Sequence, residues 1–133
     1  MNVNPAAHDA MHRWNLALEY APYILEGGYI EDPDEARRLA DSSAALHGLL
    51  TWLRQSCPAA QSDAARLDWN IDLLGDAAAL LYRNLGLTQQ AAMERVSRLS
   101  GAMMGTAQQM DGGAIEAWTS LRRSGQAEER AYA

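Results

Sequence analysis

From Ala60 to Leu85 the apolar residues recur at Ala60, Ala64, Leu67, Ile71, Leu74, Ala78, Leu81 and Leu85. The steps alternate between four and three, which draws one stripe down an α-helix and excludes a strand. A second stripe, Leu73, Ala77 and Leu80, runs beside it. A helix apolar over so wide an arc needs at least two neighbours. We therefore expect this stretch to lie at the centre of a helical fold.

The flanking segments carry the same period. Pro5 to about Leu25 reads as a first helix, with Asn4 as N-cap, Pro5 at the first helical position and Gly27-Gly28 as the stop. Its stripe is Ala7, Met11, Trp14, Leu18, Ala21 and Leu25, and Pro22 marks either a kink or the last turn. A second helix runs from Pro33 to about Ser56, capped by Asp32 and ended by Pro58. Its stripe is Ala36, Leu39, Ser43, Leu46, Leu50, Leu53 and Cys57, widened by Leu49 and Trp52. The connection Pro58 to Ser62 leads into the central helix, with Ser62 or Asp63 as its cap and Gly86 at its end.

Thr88 begins a fourth helix with stripe Ala92, Val96, Leu99, Met103, Ala107 and Met110. Ser97, Gly101 and Gly105 form a column of small residues along it. A helical glycine costs about 1 kcal/mol against alanine. The column therefore predicts close approach of a neighbouring backbone, near Gly75. A shorter fifth helix, about Ala114 to Arg123, offers Ile115, Trp118 and Leu121, and residues 124–133 read as a polar tail that frays. The expected fold is all-α: one domain over 1–133, an antiparallel bundle of four long helices plus a short fifth C-terminal helix.

The totals narrow the function classes. A net charge of −6 disfavours direct nucleic-acid binding, which depends on basic side chains against phosphate. No apolar run is long enough to cross a bilayer, so no membrane partner is expected. Residues 1–10 lack a secretory signal pattern, and the single cysteine, Cys57, cannot pair within the chain. Both point to the cytoplasm. The absence of lysine beside abundant Arg and Ala is an association with high-GC genomes, bacterial or phage.

Three constellations are candidates for function. Asp68, Asp72 and Asp76 stand four apart on the central helix, where like charges repel by a few tenths of a kcal/mol per pair. They read either as a docking ridge for a basic partner or as a solvated face paired with Arg13, Arg54 or Arg98. Trp69 and Trp52, on or beyond the stripe edges, are interface anchors of the kind enriched at hot spots. The base-free loop Glu26 to Glu35, around Glu31, adds acidic steering, although Asp32, Asp34 and Glu35 also suit the start of the second helix.

His8 and His12, one turn apart with Glu19 beyond, are the metal candidates. They are weak ones, because helical metal sites need three or four converging ligands. Leu80 to Leu99 has the outline of a helix-turn-helix, with Leu85-Gly86-Leu87-Thr88-Gln89 as the turn and Gln89, Gln90, Arg95 and Arg98 available to DNA. Bulky Tyr82, where that motif wants a small residue, and Arg95, at an apolar position, depart from it. No catalytic constellation is present and no cofactor is expected.

The reading that follows is a non-enzymatic interaction module. It is an acidic helical bundle acting as inhibitor or adaptor of a bacterial or phage protein, whose nucleic-acid-binding surface it covers. Self-association is an accompanying possibility. A metal- or ligand-binding bundle using His8, His12 and Glu19, and a DNA-binding regulator using 80–99, are the alternatives.

Overall fold

The computed structural model describes residues 5–132, with side chains described from 9 to 123. Five α-helices follow one another: α1 Pro5–Leu25, α2 Pro33–Ser56, α3 Ala64–Asn84, α4 Gln89–Gln109 and α5 Gly113–Tyr132. A 3₁₀ turn over Pro58–Asp63 joins α2 to α3. No strand occurs among the described residues. No described helix is long and apolar enough to cross a membrane.

Local chemistry sets the boundaries. Asp32 caps α2 by accepting from the Asp34 amide at 3.0 Å, and Pro33 opens the helix. Thr88 caps α4 by accepting from the Ala91 amide at 3.1 Å. Between α3 and α4 the chain reverses at Gly86, whose φ of +103° a side chain would strain. Pro22 lies in the last turn of α1, where the helix ends three residues later. Asn4 and Ala7 fall outside the residues whose side chains are described.

Two apolar clusters make the core. One joins Trp14 and Ala17 of α1, Leu46 to Leu53 of α2, Leu67 and Leu74 of α3, Ala107 of α4 and Trp118 of α5. The other joins Ala21 and Ile24 of α1, Ala36 to Ala44 of α2, Ala77 to Tyr82 of α3 and Ala92 of α4. Successive helices enter these clusters in opposite order, so the bundle is antiparallel. The buried line on α1 runs Trp14, Ala17, Ala21, Ile24, which leaves Leu25 exposed instead of inward.

The hub is α2, not α3. It packs against all four other helices, and Leu46, Leu49, Leu50 and Leu53 are fully buried. Its backbone meets that of α4 at Gly48. A β-carbon on Gly48 would stand 2.8 Å from the backbone carbon atoms of Ser100 and nearer still to its carbonyl oxygen. The expected small-residue approach therefore exists, but at Gly48. Gly101 and Gly105 face open space, and Gly75 faces the His47 ring.

The fifth helix is longer than the expected short element. Gln126 to Arg130 are strong helix formers and carry the helix past Gly125, so the backbone of 124–132 is helical where a frayed tail was expected. Ala114, Trp118 and Leu121 bury its first half.

The two kinds of helical glycine have opposite predicted responses. Gly48→Ala overpacks the α2–α4 contact and should lower unfolding stability by roughly 1–3 kcal/mol. Gly101→Ala meets nothing and should raise it by about 0.5–1 kcal/mol. Urea denaturation of both variants checks the pair; a neutral Gly48→Ala would contradict the close crossing.

Candidate interaction surface

The outer face of α3 presents the candidate. Trp69 is 71% exposed, the largest exposure of any large apolar side chain among the described residues. Asp72 and Asp76 stand three and seven residues on, hence on the same side of the helix, and both are exposed. Neither forms an ion pair within 4 Å among the described residues. Asp68 differs. Its Oδ1 accepts from Arg54 Nε at 2.9 Å, and the same guanidinium donates to Gln61 Oε1 at 2.9 Å. One carboxylate of the acidic line is thus paired inside the fold and two are free.

His47 sits behind the free pair. It is half-buried on α2, its Nδ1 hydrogen-bonded with Ser100 Oγ of α4 at 2.8 Å. Its ring edge occupies the space left by Gly75 of α3, 3.1 Å from where a β-carbon would be. Burial pushes the imidazole below its ordinary value of 6.5, while the fields of Asp72 and Asp76 pull the other way. Burial is the larger effect, so the neutral ring is the favoured form at neutral pH.

Trp52, expected as a second anchor, packs half-buried against the core cluster of Leu49 and Leu53 and offers no free face comparable to Trp69. Glu31 is exposed on the loop before α2, at the other end of α3 from Trp69. Three tyrosines gather there. Tyr20 and Tyr23 meet edge to face at 6.1 Å, and Tyr29 is 64% exposed.

Of the metal candidates, His12 and Glu19 are both exposed, and the His8 side chain lies outside those described. Among the described residues no group of three or more His, Cys, Asp and Glu is placed to hold a metal ion. Cys57 is half-buried at the end of α2, its amide donating to the Leu53 carbonyl at 3.1 Å.

In the 80–99 segment Gln89, Gln90 and Arg98 are exposed on α4, while Tyr82 and Arg95 enter a polar cluster. The Tyr82 hydroxyl donates to Asp41 Oδ1. Arg95 pairs with the same oxygen at 3.5 Å and lies over the Tyr82 ring at 5.6 Å. Burial and the Asp41 hydrogen bond hold the Tyr82 phenol far above its ordinary value, so it stays a donor. The two departures from the helix-turn-helix pattern are therefore the two halves of one contact joining α2, α3 and α4. A second such contact lies at the opposite end. Trp118 Nε1 donates to Asp63 Oδ2 at 2.7 Å, and Arg122 pairs with that oxygen at 3.1 Å. Asp63 consequently makes no side-chain cap for α3.

No protein-family model, curated protein or solved structure matches this chain.

The His47 environment predicts a pH dependence. The folded ring binds a proton less readily than the unfolded one, so its contribution is complete above the unfolded value of 6.5 and is lost as pH falls through the lower folded value. Stability should fall between about pH 7.5 and about pH 5.5, and His47→Gln should flatten that fall. Urea melts at the two pH values check this; identical slopes in both proteins would contradict it.

Proposed function

We propose that the protein is a non-enzymatic interaction module that docks a basic protein partner on the outer face of α3. The observation that carries this is Trp69. The fold leaves this Trp exposed over most of its surface, and exposed Trp side chains are enriched as anchors of interface hot spots. Asp72 and Asp76 beside it form no ion pair among the described residues, which suits Arg or Lys on the covering surface. The net charge of −6 would steer a basic partner toward the chain. An inhibitor or adaptor that covers the nucleic-acid-binding surface of a bacterial or phage protein fits this description.

The alternatives have less in their favour. A DNA-reading role for 80–99 loses Arg95 to Asp41 and Tyr82. A metal role for His8, His12 and Glu19 has no support from the described residues, which bring no group of three ligands together.

Affinity capture with two baits tests the proposal. The native chain should enrich a basic protein at low salt, and the Asp72→Arg/Asp76→Arg variant should lose it while its circular dichroism stays helical. Both substitutions are at exposed positions, so the fold should survive them. Equal recovery on both baits, or no basic protein on the native one, would contradict the docking role.

A further inference from the structure

At the far end of α3 the loop before α2 closes over a cleft of about 180 Å³. Its apolar lining includes Ala36 of α2, Leu81 of α3 and Leu85, the residue that ends α3. Tyr29 and Glu31 stand at its edge. Small-molecule sites run to ~300–1,000 Å³, so this cleft suits one long side chain and not a drug-sized ligand.

The wall is held in place. The Tyr23 hydroxyl accepts from the Tyr29 amide and donates to the Tyr29 carbonyl, each at 3.3 Å. Gly28 makes room for this, since a β-carbon there would overlap the Tyr23 ring. The Tyr29 backbone is thus held while its ring stays open to solvent.

Among the residues lining the cleft, Glu31 carries the charge. Residues 26–35 hold five acids and no base. Asp32 caps α2, and Glu35 pairs with Arg38 at 2.9 Å. Glu31 is exposed and has no ion-pair partner within 4 Å among the described residues, Arg83 of the adjacent α3 included.

We infer that the cleft receives an arginine side chain from the basic partner. The choice of partner rests on the proposed docking function; the choice of arginine rests on the cleft. Its methylene stem lies on Ala36, Leu81 and Leu85. Its guanidinium lies against the Tyr29 ring and forks onto the Glu31 carboxylate. Lysine satisfies the charge but neither the stacking nor the fork.

The test is an NMR titration of the ¹⁵N-labelled full chain with a Gly-Ser peptide carrying one Arg, and with the same peptide carrying Lys or Gln. The Arg peptide should shift the amides of Ile30, Glu31, Asn84 and Leu85 saturably. The Lys peptide should bind at least about threefold more weakly, and the Gln peptide should not bind. Tyr29→Ala and Glu31→Gln should each weaken Arg binding by about three- to fivefold, and Trp69→Ala should leave it unchanged. Tyr29→Ala keeps the loop, because Tyr23 grips the backbone of residue 29. Shifts at the Trp69 indole and at Asp72 without shifts at the cleft overturn the arginine site and leave the docking face standing. Cleft shifts without any at Trp69 support the arginine site and leave the docking face to the Asp72→Arg/Asp76→Arg capture, which fails or succeeds separately. Equal binding of Arg and Lys, or no shift anywhere, overturns the inference.

Discussion

The close crossing of α2 and α4 at Gly48 is the constraint on which the rest of the bundle depends. Any side chain at that position would collide with the Ser100 backbone. Because the backbones meet there, Ser100 reaches His47, and His47 in turn fills the space over Gly75. Three helices are thereby tied at one level by a contact one residue deep. Around it the leucines of α2 fill one core cluster, and Ala36, Ala40 and Ala44 on the preceding turns pack into the other. Interiors packed to this density respond to a single methyl group.

Two polar contacts set the ends. Tyr82, Asp41 and Arg95 join α2, α3 and α4 at one end, while Asp63, Trp118 and Arg122 tie α5 to the start of α3 at the other. Individually each bond adds about 1 kcal/mol. Their greater effect is on arrangement, since each needs its partners at matching heights along different helices. With the core and both ends satisfied, no buried side-chain nitrogen or oxygen among the described residues lacks a partner. What is left over is on the outside: Trp69 with its two free aspartates, and Tyr29 above an acidic cleft.

Much of this was legible from the residues themselves. Pro5, Pro33, Thr88 and the Gly27 and Gly86 stops placed the helix ends, because caps and stops act within a few residues. The apolar period told which face of each helix is inward, but it does not say which helix lies inside. The stripe of Ala60 to Leu85 is as regular as that of α2, yet α2 is the hub, because Gly48 lets α4 approach it. The column Ser97, Gly101, Gly105 had the same pattern as a packing surface and turned outward, since spacing alone does not name a partner. Tyr82 and Arg95 looked like two separate faults in a DNA-binding motif; Asp41, far away in sequence, makes them one contact. Of the expected site, Trp69, Asp72, Asp76 and Glu31 are exposed on the described surface. Asp68 is paired with Arg54, and Trp52 is packed on the core.

The central claim is that the Trp69 face serves a basic partner and not a second copy of the chain. Two copies meeting through Trp69 with their α3 helices parallel would bring Asp72 and Asp76 of one against those of the other, and like charges at such range repel, whereas an antiparallel pairing would set Asp72 opposite the exposed Arg66. The molar mass in solution, from size-exclusion chromatography with light scattering over a concentration series at low salt, tests this most directly. The account predicts a monomer of 14.5 kDa throughout. A stable mass of twice that value, returning to the monomer in Trp69→Ala, would contradict it and assign the exposed tryptophan to self-assembly.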